Sequence, residues 1–243
     1  MIDMNKFGLI GYPISFSLSP RLFNAAYSGK YVYDLIEEPS FDKAWEIFDK
    51  EYQAVNVTAP FKVLAAQRAD ICAPEVQKIG AANILVHTDK GIVAHNSDYL
   101  GVLAVLEEAF GDACAASGAT ALIVGYGGAG MAAAQAAKDL GMDVVICNRT
   151  LDKAVGIRPL EEIPLLAAVS DMLIYCIPQA IPEMKGVKVP MILEAKYKDP
   201  CLSDAASSRY FPGTAWHLNQ AVKGYEIMSG EVPDVGNMAL IYR

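Results

Sequence analysis

An amine, a glycine loop and a basic turn are the features of this 243-residue chain that could do chemistry. The amine is Lys62, which closes the run Asn56-Val57-Thr58-Ala59-Pro60-Phe61-Lys62. A lysine held behind an apolar step, with an amide and a hydroxyl upstream, can give or take a proton once a carboxylate positions it. The same residues also fit a strand end, a proline turn and a solvated helix start. Pro60 suits the first turn of a helix and Thr58 a cap before it, which would set Lys62 near the positive end of the helix dipole.

The glycine loop runs Gly125-Tyr126-Gly127-Gly128-Ala129-Gly130 and satisfies G-x-G-x-x-G. An apolar stretch precedes it and an alanine-rich helical stretch follows, the context in which this spacing binds a pyrophosphate. The first glycine allows the turn, the second lets backbone approach the phosphates, and the third lets the helix close on the strand. Gly128 and Ala129 complete the loop, whose amides face an anion at the helix start. The next strand ends Cys147-Asn148-Arg149-Thr150, with Lys153 beyond. No acid stands at that strand end to take a ribose 2′-hydroxyl, whereas a guanidinium can fork onto a 2′-phosphate. The spacing therefore favours NADP over NAD, against the reading of an ordinary solvated basic turn.

Bulk composition narrows the rest. Apolar residues make up 53% and charged residues 20%, with a net charge of −8, so a globular chain is expected and general nucleic-acid or anionic-membrane binding is disfavoured. Five scattered cysteines (Cys72, Cys114, Cys147, Cys176, Cys201) and no C-x-x-C pair fit reduced thiols in the cytoplasm. His87, His95 and His217 lack metal-ligand spacing, so no metal is expected. The opening residues make a poor signal peptide. Residues 119–137 lack charge, but four glycines divide them into strand, turn and helix and argue against a membrane span.

Apolar periodicity places these features on elements. Strands are expected at 7–12, 31–37 and 53–57, helices at 20–29, 41–52 and 62–70, and a hairpin turning at Asp89-Lys90-Gly91. This alternation implies an α/β layer with largely parallel strands. A helix from Ser97 leads to a small-residue break at 111–120, after which strands recur near 119–125, 143–150, 171–177 and 189–195. A final helix covers 215–230.

With these pieces in order, the chain resembles the shikimate dehydrogenase family over nearly its whole length. Ser15-Phe16-Ser17-Leu18-Ser19-Pro20 resembles that family's S-x-S-P motif, and residues 56–62 its N-V-T-x-P-x-K segment. Gly80 to Leu85 resembles G-A-x-N-T, Asn96 to Gly101 resembles N-T-D-x-x-G, and Gly213 precedes Gln220 by the family's seven residues. The resemblance implies an α/β fold with an N-terminal substrate domain (1–100), a Rossmann NADP-binding domain (101–213) and a helix (214–243) returning to the first, the active site lying in the cleft between. It implies a catalytic pair of Lys62 and Asp98, with Asp98 orienting the amine. Ser17 and Ser19 would hold the substrate carboxylate, while Thr58, Asn83, Tyr197 and Gln220 take its ring. NADP would lie on Gly125, Gly127, Gly128, Ala129, Gly130, Asn148, Arg149, Thr150, Lys153 and Gly213. The implied reaction is NADPH-dependent reduction of 3-dehydroshikimate to shikimate by a cytoplasmic monomer or homodimer whose only other partner is that small-molecule substrate.

Departures mark where this chain differs. Ile84 stands for the threonine of G-A-x-N-T, Tyr175-Cys176-Ile177 for an Asn-Ala-Thr step, Glu194 for an aspartate, and His217 for an apolar residue. The stretch between Thr150 and Ser170 is short for a full helix. Alternatives are a quinate/shikimate dehydrogenase of relaxed preference, a silent shikimate-sensing module, or another Rossmann reductase.

Overall fold

The computed structural model describes residues 3–111, 116–203 and 209–243. Part of the expected break at 111–120, with Cys114, lies outside the described residues. The chain forms two compact units, Met1–Ser97 with Gln220–Arg243, and Asp98–Asn219.

The first unit is built on strands β1 (Asp3–Gly11), β2 (Val32–Glu37), β3 (Tyr52–Val57), β4 (Ile71–Cys72), β5 (Ile84–Thr88) and β6 (Gly91–His95), in sheet order β2-β1-β3-β5-β6-β4. β1, β2 and β3 pair in parallel, as the alternation with α1 (Ser19–Tyr27) and α2 (Phe41–Glu51) requires. The expected hairpin forms between β5 and β6 and pairs antiparallel with β3, so this half of the sheet is mixed. Helix α2 explains itself. Phe41, Ala44, Trp45 and Phe48 recur at helical spacing and are all buried. Its three aromatic side chains contribute about 1.5–3 kcal/mol each on burial, which offsets the marginal stability of so short a helix.

Helix α3 runs Lys62–Arg68, starting two residues later than a first-turn proline would require. Pro60 precedes the helix and Phe61 occupies the capping position without a side-chain bond. Thr58 closes a turn through its carbonyl, which accepts the Phe61 amide at 3.0 Å. The expected cap is therefore replaced by a turn that delivers Lys62 as the first helical residue. Short elements that periodicity cannot see complete this unit: β4, α4 (Pro74–Ile79) and, near the C-terminus, a five-residue helix at Val235–Ala239.

The second unit holds an all-parallel sheet of β7 (Thr120–Val124), β8 (Asp143–Cys147), β9 (Met172–Tyr175), β10 (Met191–Glu194) and β11 (Arg209–Phe211), ordered β11-β10-β9-β7-β8. Chain order reverses between β7 and β9, and ligands of such sheets bind beyond the strand ends at that switch point. The uncharged run resolves into β7, a glycine turn and a twelve-residue helix, α6 (Gly128–Asp139). Buried Ala132, Ala133, Ala136 and Ala137 let α6 pack closely on the sheet. Between β8 and β9 there is only a 3₁₀ turn at Leu160–Glu162 and a five-residue helix, α7 (Ile163–Ala167). Among the described residues no helix is long and apolar enough to cross a membrane. Helices α5 (Ser97–Phe110) and α8 (Gly213–Ser229) carry the chain from one unit to the other and back.

Candidate active-site residues

In the first unit a polar cluster converges on Asn83, which is 5% exposed. Its backbone is fixed on both sides. The Asn83 carbonyl accepts the Val57 amide at 2.8 Å, and its amide donates to His95 at 3.0 Å. The neighbouring Ala82 amide donates to the Lys62 carbonyl at 2.8 Å, so the start of α3 is tied directly to the Asn83 strand. The Asn83 side chain donates to Ser97 Oγ at 3.2 Å and to Gln220 Oε1 at 3.4 Å, while its Oδ1 accepts the Ser97 amide at 2.7 Å. Lys62 itself is half-buried.

Ser17 and Ser19 sit at the entrance to α1. Ser17 Oγ accepts the Ser19 amide at 3.2 Å and donates to Ser19 Oγ at 3.1 Å. Leu18 holds the capping position of α1 and Ser19 is the first helical residue. Tyr225 of α8 donates to the Ser19 carbonyl at 3.2 Å, and Tyr33 donates to Asn56 Oδ1 at 2.7 Å. Burial pushes both phenols far up, with Ser19 bonding back the lesser effect on each, so they remain donors across ordinary pH. Thr58 joins the group through its amide on the Ile10 carbonyl at 2.8 Å, its methyl pressed where a side chain on Gly11 would be. Tyr33, Asn56, Ser97 and Tyr225 were not singled out from sequence. Asn56 lies inside the quoted lysine motif and could have been; the two tyrosines gave no local signal, since only the fold brings β2 and α8 to Ser19.

In the second unit the glycine loop lies at the switch point. Gly125 has φ +93°, a left-handed value that favours glycine, and its amide donates to Cys147 at 2.8 Å. A Cβ on Gly130 would collide with the Gly125 carbonyl, so the third glycine is what lets α6 close on the turn. A Cβ on Gly127 would meet nothing within 4 Å, which leaves open space for phosphate against its backbone. Gly128 and Ala129 start α6 and are partly exposed. This cradle fits a pyrophosphate. Asn148 Oδ1 accepts the Tyr126 amide at 3.3 Å and its Nδ2 donates to the Thr150 carbonyl at 3.2 Å, so the turn after β8 is tied to the loop. Arg149, Thr150 and Lys153 are exposed at that turn.

Asp98, 6% exposed, stands in the first turn of α5, and its main-chain carbonyl accepts the Trp216 indole N–H at 3.0 Å. Burial pushes the Cys176 thiol far up, and the charge of Asp98 adds to the effect, placing that carboxylate near the end of β9. Cys147 is likewise raised by burial, to about 11, and the four described cysteines are free thiols. Tyr197 stacks on His217 with ring centroids 4.0 Å apart and 16° between planes. Gly213 makes room for this: a Cβ there would stand 2.5 Å from Lys196 and 2.7 Å from the Tyr197 amide. Glu194 is fully buried and accepts the amides of Cys201 (2.6 Å) and Leu202 (3.0 Å) and the Tyr210 hydroxyl (2.8 Å). Ile84 is fully buried in the first unit, and Ile177 packs where a Gly125 side chain would stand. Among the described residues no group of three or more His, Cys, Asp or Glu could hold a metal ion.

A glycine cradle at the switch point of a doubly wound parallel sheet, in a chain that also carries a separate α/β unit, defines a two-unit dinucleotide-binding protein. The profile of the shikimate dehydrogenase substrate binding domain matches residues 9–85. The shikimate dehydrogenase (NADP(+)) of Natronomonas pharaonis is 31% identical over 272 residues, covering 97% of each chain. That of Carboxydothermus hydrogenoformans is 33% identical over 153 residues, a match spanning 60% of this chain and 54% of the other. The crystal structure of Mycobacterium tuberculosis shikimate dehydrogenase is 26% identical, with a TM-score of 0.81 over 98% of each chain. The chain belongs to the shikimate dehydrogenase family.

Proposed function

We propose that the protein is an NADP-dependent shikimate dehydrogenase, an oxidoreductase that reversibly reduces 3-dehydroshikimate to shikimate in aromatic amino-acid biosynthesis. The observation that carries this reading is the gathering of Ser97 and Gln220 on the Asn83 side chain, with the Lys62 carbonyl bonded to the adjacent Ala82 amide, at the positions the family motifs occupy. When bound, NADPH would supply the hydride for reduction at the substrate C3. Lys62 gives the proton to the C3 oxygen in that direction and takes it back in the other. Asp98 orients the amine and bonds a ring hydroxyl.

Ser17 and Ser19 hold the carboxylate through their hydroxyls, and Thr58, Asn83, Tyr197 and Gln220 take the ring. Such a site discriminates by hydrogen bonding, because a substrate lacking a matching hydroxyl leaves buried polar groups unpaired. Gly125, Gly127, Gly128, Ala129 and Gly130 cradle the pyrophosphate, Gly213 borders the cofactor, and Asn148, Arg149, Thr150 and Lys153 receive the 2′-phosphate. The protein works in the cytoplasm as a monomer or homodimer, without nucleic acid or membrane.

NADPH absorbance followed with 3-dehydroshikimate, then with NADH and with 3-dehydroquinate, tests the reading. Turnover is expected with the first pair and should fall with either replacement. Equal rates with 3-dehydroquinate would make the protein a quinate/shikimate enzyme, and no oxidation with any pair would leave a sensing module.

A further inference from the structure

We infer that Trp216 is a positioning residue for Asp98, an inference that rests on the catalytic reading of Asp98. The indole N–H of Trp216 meets the Asp98 main-chain carbonyl at 3.0 Å, across 118 residues of sequence. Both residues are buried, Trp216 at 4% exposure and Asp98 at 6%, so no solvent competes for this bond. A buried indole N–H must find a partner, and here the partner is the residue that carries the carboxylate. A first-turn carbonyl of a helix already serves the amide four residues on, and its second lone pair is what the indole takes. The tie therefore adds nothing the fold of α5 needs. What it does is fix the first turn of α5 against α8.

The packing around Trp216 extends this tie to the sheet. Its ring lies in one apolar cluster with Ala133 and Ala137 of α6, Ile123 of β7 and Ile174 of β9. Those elements bear the glycine loop and the end of β9, where Cys176 neighbours the Asp98 charge and approaches Gly130. Trp216 thus references the Asp98 backbone to the elements that shape the cofactor loop. A rigid two-torsion side chain suits this, because proton transfer tolerates little displacement and a shift of about 1 Å can cost as much as 10²-fold in rate.

The test replaces Trp216 with Phe, which keeps a buried ring and removes the N–H, and with benzothienylalanine, which keeps the indole shape with sulfur in place of the N–H. Each is assayed alone and in an Asp98→Asn background, with kcat, KM for NADPH and urea midpoint measured throughout. We expect kcat to fall about 10-fold or more in the benzothienyl protein, with KM for NADPH and urea midpoint unchanged, and no further fall when the same replacement is made in the Asp98→Asn enzyme. Unchanged kcat in the benzothienyl protein, beside an impaired Asp98→Asn enzyme, would overturn the inference and leave the catalytic reading standing. Losses that multiply in the double variant would overturn it too, since Trp216 would then act apart from Asp98. Full turnover in Asp98→Asn alone would overturn the catalytic reading and the inference together.

Discussion

Asn83 caps a helix to which it does not belong: its Oδ1 accepts the Ser97 amide at 2.7 Å and its Nδ2 reaches Ser97 Oγ at 3.2 Å. The Ser97 amide opens α5 and is one of the donors a helix leaves without an internal partner. Both residues are buried, so Asn83→Ala orphans that amide at a cost of about 1–3 kcal/mol. A denaturant titration should register this loss. Because the same side chain points to Gln220, KM for the substrate should rise more than KM for NADPH. Equal effects on both constants would make Asn83 a helix cap and nothing more.

Lys62 is the proposed acid–base residue. Lys62→Met keeps the aliphatic length and removes the amine. Turnover is expected to fall by about 10² to 10⁴, the contribution of a positioned acid–base group. NADPH binding, followed by nucleotide fluorescence, should be retained because the glycine cradle belongs to the other unit. Undiminished turnover would remove Lys62 from the mechanism.

Arg149 tests the cofactor assignment. It is exposed at the turn after β8, which the neighbouring Asn148 side chain ties to the glycine loop. Arg149→Ala should lower kcat/KM for NADPH while leaving NADH nearly unaffected, because only the former presents a phosphate for the guanidinium to fork onto. If the ratio of the two is preserved, the 2′-phosphate is read by other residues.

The sequence carried the long periodic elements and the motif-bearing turns. α2 declared itself through Phe41, Trp45 and Phe48, and the glycine loop through the apolar strand ahead of it and the alanines behind. Elements of two to six residues, such as β4, α4, α7 and β11, left too few side chains for a period to emerge. Periodicity puts the start of α3 at Lys62, where it stands, whereas the expected Thr58 cap and first-turn proline fail because the Thr58 to Phe61 turn forestalls them. The polar cluster was half visible. Ser17, Ser19, Thr58, Asn83 and Gln220 stand in motifs, whereas Tyr33 and Tyr225 reach Ser19 and Asn56 only after distant segments have packed.

Glu194 illustrates a departure that the structure turns into a role. Its carboxylate holds two amides and a phenol, and its longer stem carries those oxygens to the 201–202 turn. Burial, above the bonding to Glu194, pushes the Tyr210 hydroxyl up and keeps it a donor. Glu194→Ala should destabilise the protein by roughly 3–5 kcal/mol in urea unfolding, since buried donors lose a charged acceptor together. A loss of less than about 1 kcal/mol would mean that the turn finds other acceptors.

His87 should make stability depend on pH. Its ring packs on Phe48 with centroids 4.7 Å apart, and burial holds its pKa below the ordinary 6.5, although Asp49, 3.6 Å from Nε2, and Asp70 act the other way. The folded state therefore binds this proton less readily than the unfolded chain. Above 6.5 neither state is protonated and the packing is fully retained; as pH falls through 6.5 the unfolded chain takes the proton first and stability drops. Urea midpoints measured from about pH 7.5 down to about pH 5.5 should decline in the native protein, and His87→Phe, which keeps a ring on Phe48, should flatten that part of the slope. Parallel slopes in the two proteins would assign the acid sensitivity to groups other than His87.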